Sequence, residues 1–451
     1  MPSRQDQLHS YQYSMQRVVA ALITHDPDPH RSPLRRAGMT ALAGLVTAAL
    51  AVGAAAVYGL LTGASVGEVR DESVVLLDKG SGARYVYLAS DGRLHPVPNY
   101  TSGLLIANAG EPRLVGTTAR KLATVPLGEP MGIPDAPDTL PAGADLLTEP
   151  WSVCTAVADG RPRGTVLVGS RIAGSRASGL LVRDPDGRTF LVHGNRRLPV
   201  PAGRYTATLR AFRWGDRQPW PVAAAWINAI PVGPDLAPPA IRGFGHRSDV
   251  PGLEVGQLVT DGRQWAVALA DGVAELTEVQ ALLLQTDPRA YDPVTLGGSA
   301  FNNLGASRTR LSTADDPNGL PSTVPDLAGT PGRACVTQSD GVLIDPNVPA
   351  GVPVTDDAAA PGAVRADAVH VPRGKGAVVV ATSAPTAPPG TGTISIVTDT
   401  GRRYPVAGRD VLARLGYGAV TPQPVPAQLV ALLPQGPALD IGLARQIIPG
   451  R

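Results

Sequence analysis

The sequence has few aromatic residues, only two cysteines and almost no net charge. Phe, Trp and Tyr make up 4% of its 451 residues, and 40 basic residues nearly balance 38 acidic ones. Residues 1–38 carry five arginines and three aspartates, so the rest of the chain is electrically neutral. A nucleic-acid-binding surface requires an excess of Lys and Arg. The charge balance therefore argues against a nucleic-acid partner.

Motifs for catalysis or cofactor binding are also lacking. Gly374 and Lys375 do not form a Walker A loop, because Gly376 follows them and the upstream glycine is absent. The seven histidines show no metal-ligand spacing, and His95 is interpreted as a strand residue packed against its own module, with a site residue as the alternative. A nucleophile-elbow string surrounds Ser65, but it follows an apolar helix instead of a strand. We predict no enzyme activity, metal or cofactor.

One long apolar stretch starts at Met39 and ends at Leu61, without charge or proline. At about 1.5 Å per residue it can cross the roughly 30 Å hydrocarbon layer of a membrane. Arg31, Arg35 and Arg36 precede it, which places the N-terminus in the cytoplasm and exports the rest. A cleaved signal peptide is the alternative. It fits less well, because the apolar run and the segment before it are too long.

The cytoplasmic segment is predicted to contain an amphipathic helix over residues 6–24. Its apolar residues recur at helical spacing and form one stripe. Two interpretations stay open: the helix lies on the inner leaflet of the membrane, or it docks onto a partner protein. The stripe consists of Leu8, Tyr11, Met15, Val18, Val19 and Leu22.

After the span, one pattern occurs four times. Short apolar runs alternate with glycine-containing turns, which predicts two consecutive hairpins of three short strands, followed by a helical segment. Because such a sheet is marginal alone, each α+β module is expected to pack on a neighbour. Their irregular spacing argues against a solenoid or propeller. The equivalent turn glycines are Gly92, Gly194, Gly272 and Gly401.

The two cysteines, Cys154 and Cys335, lie between the modules in the exported part of the chain. Disulfides form and persist in oxidising compartments outside the cytoplasm. We therefore expect one disulfide that ties two distant segments into a central domain. Two free, buried thiols are the alternative, since spacing alone does not establish proximity.

The predicted fold class is a single-span membrane protein with a β-rich, α+β exported region of four hairpin-based repeat modules around a central β domain. The predicted divisions are a cytoplasmic tail (1–38), a transmembrane helix (39–61), modules 1 (68–140), 2 (176–240), 3 (241–320) and 4 (371–451), and a central domain in two parts (141–175 and 321–370).

Several short motifs occur in order along the chain. They are residues 10–17 (SYQYSMQR), 93–97 (RLHPV), 99–102 (NYTS), 132–137 (GIPDAP), 151–154 (WSVC) and 428–439 (QLVALLPQGPAL). Each motif is weak alone, but the ordered set covers nearly the whole chain. Together they resemble the EccB family, the core membrane subunit of actinobacterial type VII secretion systems.

This resemblance implies a structural, inner-membrane subunit with a cytoplasmic N-terminus and a periplasmic body, whose disulfide maps onto Cys154 and Cys335. It implies as partners the motor ATPase EccC, the subunits EccD and EccE, the mycosin protease, further EccB copies and membrane lipid. ATPase activity has been ascribed to some family members, but no motif here supports it. A membrane-tethered hydrolase and a cell-wall-binding module are the alternative functions.

Overall fold

The computed structural model of the chain describes residues 3–25, 33–62, 69–316, 319–337, 341–355, 362–383 and 392–449. Its first helix, α1 (Arg4–Thr24), begins with a capping box. The Asp6 amide donates to Ser3 Oγ (3.2 Å), and the Ser3 amide donates to Asp6 Oδ2 (3.1 Å). These bonds satisfy amides that the first helical turn leaves free. The predicted cytoplasmic helix is thus present and begins two residues earlier than predicted.

The second helix, α2 (Pro33–Thr62), contains the apolar stretch. Residues 38–58 are long and apolar enough to cross a membrane. A helix suits this environment because its backbone groups bond to each other. The hydroxyl of Thr47 also donates within the helix, to the Ala43 carbonyl at 2.8 Å, so this polar group needs no partner in lipid.

Four four-stranded sheets follow, and each unit has the element order βββαβα. The first three strands form two antiparallel hairpins, and the fourth returns parallel to the first after a helical crossover. Module 1 contains β1 (Val74–Asp78), β2 (Arg84–Leu88), β3 (Arg93–Val97), α3 (Tyr100–Ile106), β4 (Arg113–Thr117) and α4 (Ala119–Leu122).

Modules 2 to 4 repeat this order. Module 2 contains β8 (Leu180–Arg183), β9 (Thr189–His193), β10 (Arg196–Val200), α5 (Tyr205–Ala211), β11 (Trp220–Pro221) and α6 (Ala224–Ala229). Module 3 contains β12 (Leu258–Thr260), β13 (Trp265–Leu269), β14 (Gly272–Leu276), α7 (Glu278–Leu284), β15 (Val294–Thr295) and α8 (Gly298–Asn302). Module 4 contains β20 (Ala377–Thr382), β21 (Ile394–Val397), β22 (Arg403–Val406), α9 (Arg409–Leu412), β23 (Gln423–Pro426), α10 (Ala427–Val430) and α11 (Ile441–Ala444).

The fold class is confirmed, but the expectation of three strands per module is wrong. Each module has a fourth, parallel strand, and a second helix follows it. β11 and β15 have only two residues each, too few to show an alternating pattern. The four predicted turn glycines all adopt positive φ angles, between 56° and 148°, in the hairpin that leads into the third strand.

A seven-stranded central sheet joins the modules. Its strands are β5 (Ser152–Ala158), β6 (Arg161–Leu167), β7 (Ser175–Arg176), β16 (Arg333–Thr337), β17 (Gly341–Ile344), β18 (Val352–Pro353) and β19 (Ala368–His370). The strand order is β18-β19-β6-β5-β16-β17-β7, so the two parts of the chain that build the sheet meet between β5 and β16.

The modules pack in two pairs, 1 with 4 and 2 with 3, and the first pair joins modules that are far apart in the sequence. Modules 1 and 4 share one buried cluster, in which Leu105 of α3 packs with Tyr404 of β22. Modules 2 and 3 share another, which includes Leu198 of β10 and Leu283 of α7. The central sheet packs against modules 2 and 4. Each marginal sheet therefore gains a covered face from a neighbour.

Candidate functional site

The described residues offer no metal centre, and the ring of His95 is engaged by neighbouring residues. No three His, Cys, Asp or Glu side chains among them are placed to hold a metal ion. His95 is buried, and its ring lies between two acceptors, Glu129 O and Asp91 Oδ2, each at 2.9 Å. Burial raises the pKa of Asp91, but hydrogen bonds from His95 and the Arg93 amide outweigh it and lower that pKa overall. His95 is thus a buried residue of β3 whose ring packs within module 1, as interpreted.

Some of the residues predicted to flank or limit the membrane span lie in α2. Arg35 and Arg36 fall within the first part of α2, and Met39 and Leu61 lie in the same helix. Arg31 and the nucleophile-like Ser65 lie outside the described residues.

The first candidate surface is the apolar stripe of α1, the set of residues named above. Five of its six members are more than half exposed: Leu8 (56%), Tyr11 (65%), Met15 (51%), Val18 (55%) and Leu22 (75%). The remaining positions include Gln, Ser and His together with Tyr13, Ala20, Ala21 and Ile23, and only Arg4 and Arg17 carry a fixed positive charge. A helix that binds lipid headgroups is usually rich in Lys and Arg on its polar face. The composition of α1 therefore favours a protein partner over the membrane surface.

The second feature is the disulfide between Cys154 and Cys335, which the structure contains. The cysteines are directly opposed on β5 and β16, and both are buried. They pack with Leu167 and with the half-buried Ile172 and Val348. The cross-link spans 181 residues, a segment that includes modules 2 and 3. By the entropic account of cross-links, a loop of this length stabilises the folded state by about 5 kcal/mol.

The third feature is the seam between modules 1 and 4. Arg414 Nη1 donates to Ala107 O (2.7 Å), and the buried Tyr417 donates its hydroxyl to Pro141 O (2.6 Å). Burial raises the pKa of Tyr417, which keeps this donor protonated. A cleft of about 200 Å³ opens at the seam, with Tyr100 and Arg414 in its lining.

The C-terminal segment closes the same seam. Residue Ile447 forms an antiparallel bridge with Met131 of module 1. The Ile448 amide donates to Pro130 O (2.9 Å), and the Gly132 amide donates to Gln446 O (3.2 Å). The last described part of the chain thereby returns to the first module, and modules 1 and 4 form one unit.

Sequence reasoning missed one repeated motif that lies beside the third strand. Its sequence is PLGEPM at 126–131, PVGPDL at 231–236 and PQGPAL at 434–439. The Pro carbonyl accepts from the third strand, and the Gly amide donates back to the same strand residue. The identical Pro-x-Gly spacing in three modules could have revealed this motif from the sequence.

The glycine of this motif is required by its neighbour. A Cβ at Gly128, Gly233 or Gly436 would collide with the third-strand side chain above it, which is His95, Leu198 or Tyr404, respectively. In module 3 the third strand has the small Ala274 after Val273, and Ser307 takes the place of the glycine. Modules 1, 2 and 4 therefore combine a large third-strand side chain with glycine, whereas module 3 combines a small one with serine.

Comparison with known proteins supports this picture. A family model described as "Type VII secretion system ESX-1, transport TM domain B" matches residues 1–446. The chain is 28% identical to the ESX-3 secretion system ATPase EccB3 of Mycolicibacterium smegmatis, over 97% of this chain and 89% of the relative. It is also 28% identical to the ESX-5 secretion system ATPase EccB5 of Mycobacterium marinum, over 97% and 92%.

Two solved structures share the fold. A chain of an intact ESX-5 inner membrane complex matches with a TM-score of 0.68 and 25% identity, over 100% of this chain and 96% of that one. A chain of the EccB3 dimer from the ESX-3 core complex matches with a TM-score of 0.63 and 26% identity, over 82% and 99%.

One spanning helix, a short cytoplasmic segment and a periplasmic body of five sheets define a single-pass inner-membrane protein of a secretion apparatus. Within that class, the chain belongs to the EccB family of type VII secretion systems. It is a core membrane component that contributes the periplasmic part of the complex. The family, the localisation and the functional class predicted from the sequence are confirmed.

Proposed function

We propose that the chain acts as a structural assembly subunit whose surfaces bind other proteins and catalyse no reaction. The observation that carries this proposal is the exposed apolar stripe on α1, joined through one membrane span to a body that buries its own core. Contiguous exposed apolar surface marks interaction sites. The family match over nearly the full length supports the same role.

The proposed partners follow from the family and the matched structures. An EccB3 dimer and an intact ESX-5 inner membrane complex are the assemblies that those structures represent. We propose that this chain likewise binds further copies of itself, and that EccC, EccD, EccE and the mycosin protease are its other partners. Lipid contacts α2, and no nucleic acid is involved. The domain limits given above from the sequence are part of the same proposal.

The relatives are named ATPases, so ATP hydrolysis by this chain has to be tested. We propose that it hydrolyses no nucleotide, because its sequence has no phosphate-binding loop. Purified full-length chain in detergent is assayed with ATP and Mg²⁺, and no turnover above a heat-denatured control is expected. Sustained turnover that follows the protein through two further purification steps would reject the proposal.

Assembly is tested on the apolar stripe. The variant Leu8→Ser/Met15→Ser/Leu22→Ser is expected to reach the membrane with a folded body but to be missing from large complexes in native gels under mild detergent. A matched variant on the polar positions, Gln5→Ala/Gln12→Ala/Gln16→Ala, should assemble normally. If the stripe variant assembles like the wild type, α1 has no docking role.

A further inference from the structure

Modules 2 and 4 carry an arginine at the same structural position. Arg197 in β10 and Arg403 in β22 each pair with a valine of the preceding strand, and each is half buried. Their amides donate to the prolines of the repeated motif, Pro231 and Pro434, both at 2.9 Å. The surroundings of the two arginines can therefore be compared residue by residue.

In module 2 two neighbours hold the guanidinium of Arg197. Nη1 donates to Asn228 Oδ1 at 2.9 Å, and the guanidinium carbon lies 5.5 Å from the ring centre of Phe190. Asn228 precedes Pro231 by three residues, and Phe190 pairs with Pro199 of the third strand. Cations bind favourably over aromatic faces at this distance.

Module 4 lacks both neighbours. The residue three positions before Pro434 is Ala431, and the residue that pairs with Pro405 is Ser395. The Ser395 side chain is 1% exposed. Its Oγ and the Nε of Arg403 are buried without a hydrogen-bond partner among the described residues; the Nε of Arg197 is likewise unpaired, so module 4 differs in its unpaired Ser395 hydroxyl and in the missing equivalent of Asn228. Buried polar atoms in proteins are normally paired, so the Ser395 hydroxyl requires an explanation.

A second arginine reaches the same place from the central domain. Arg365 Nη1 donates to the carbonyls of Ala431 (2.5 Å) and Leu433 (2.8 Å), and its Nε is also buried and unpaired. Within the described part of the chain, neither Arg365 nor Arg403 forms an ion pair with a carboxylate. Burial and the positive charge of Arg365 lower the pKa of Arg403. Two like charges therefore lie close together without a compensating anion.

We propose that Arg365, Arg403 and Ser395 form an oxyanion-binding site at the joint between the central sheet and module 4. Two guanidinium groups and a hydroxyl supply the donors that a carboxylate or a phosphate accepts, and the planar fork of arginine suits both groups. In module 4 the bound anion takes the role that the Asn228 amide oxygen has in module 2. A carboxylate reaches the site as an acidic side chain of a partner protein, and phosphate reaches it as the free ion.

The experiment measures thermal unfolding of the full chain in detergent with sodium phosphate, sodium acetate or sodium chloride at matched ionic strength. A ligand that binds only the folded state raises the unfolding temperature. We expect a rise of roughly 2–4 °C over chloride with at least one oxyanion. A rise with acetate assigns a carboxylate site, and a rise with phosphate alone assigns a phosphate site. Equal unfolding temperatures in all three salts would overturn the proposal.

The internal repeat supplies the control. Arg403→Gln should abolish the rise, whereas Arg197→Gln should keep it, because Arg197 already has Asn228 as its acceptor. Ala431→Asn introduces the module 2 acceptor at an exposed position and should reduce the rise at least twofold. If Arg403→Gln does not fold, Ala431→Asn decides the question. An undiminished rise in either variant would show that the anion binds elsewhere.

Discussion

The N-terminal helices and the periplasmic body differ in how far their apolar side chains are exposed. In α1 and α2 most of the large apolar side chains are at least half exposed, from Val46 at 50% to Leu22 at 75%. In the body, side chains such as Leu105 and Leu439 are fully buried between modules. The difference shows where the stability of the body originates: its modules and central sheet cover one another, whereas most described apolar side chains of α1 and α2 are not covered by the rest of the chain.

The disulfide gives the largest predicted effect on the body. Cys154→Ser/Cys335→Ser should lower the free energy of unfolding by about 5 kcal/mol, because it releases a loop of 181 residues in the unfolded chain. Denaturant unfolding followed by tryptophan fluorescence measures this, since all five tryptophans lie in the body. Reduced wild type serves as the control and should match the variant. Unchanged unfolding would contradict the assigned role of the cross-link.

A matched pair of leucines tests the comparison directly. Leu439→Ala should destabilise the body by about 2–5 kcal/mol, because it leaves a cavity between modules 1 and 4. Leu22→Ala should change the free energy of unfolding by less than about 0.5 kcal/mol, since that side chain is 75% exposed. The same fluorescence measurement applies to both. If Leu22→Ala destabilised the body as much as Leu439→Ala, the two regions would not be independent.

The repeated glycine gives a smaller effect. Gly436→Ser should cost about 1–3 kcal/mol, because its Cβ meets the ring of Tyr404. Tyr404→Ala removes the ring but also loses buried apolar contacts. Module 3 combines Ala274 with Ser307 at these positions, so the double variant Tyr404→Ala/Gly436→Ser should be less destabilised than the sum of the single variants. Strict additivity would show that the two positions do not interact.

The features that sequence analysis predicted are those with a local signal. The membrane span and α1 follow from unbroken or 3.6-residue apolar patterns, and the hairpins follow from turn glycines such as Gly92. The fourth strands lack such a signal, because a pair like Trp220 and Pro221 shows no period. The pairing of modules 1 and 4 depends on contacts between residues about 300 positions apart, such as Arg414 with Ala107. No local pattern encodes such contacts.

The same limit applies to the candidate sites. The cysteine pair could be proposed because the chain has no other cysteine, whereas Arg403 looks like an ordinary strand residue beside Arg402. Its environment becomes unusual only when its structural equivalent, Arg197, and the partner of that residue, Asn228, are identified. That identification required the backbone hydrogen bonds of the repeated motif, which align Pro434 with Pro231 and so place Ala431 at the position of Asn228.

The smallest predicted effect is a pH dependence within module 3. Asp287 accepts from Arg289 Nε (3.0 Å) and Nη2 (2.9 Å), and these hydrogen bonds lower the pKa of Asp287 to about 2. A carboxylate with a lowered pKa in the folded state stabilises that state above its unfolded pKa of 3.8, and this contribution is lost as the pH falls towards about 2. Because Arg289 is 66% exposed, we expect less than about 1 kcal/mol.

Asp287→Asn isolates this contribution from that of other carboxylates. It should lower the free energy of unfolding of the body at pH 6 and should have less effect near pH 2, so the two stability curves converge as the pH falls. Arg289 should stay in place in the variant, since its guanidinium also lies 4.6 Å from the ring centre of Phe244. Asp6→Asn in α1 is the matched control, because hydrogen bonds from Ser3 also lower the pKa of Asp6 but this carboxylate lies outside the body. Equal separation of the Asp287→Asn and wild-type curves from pH 6 to pH 2 would mean that the ion pair contributes nothing to the stability of the body.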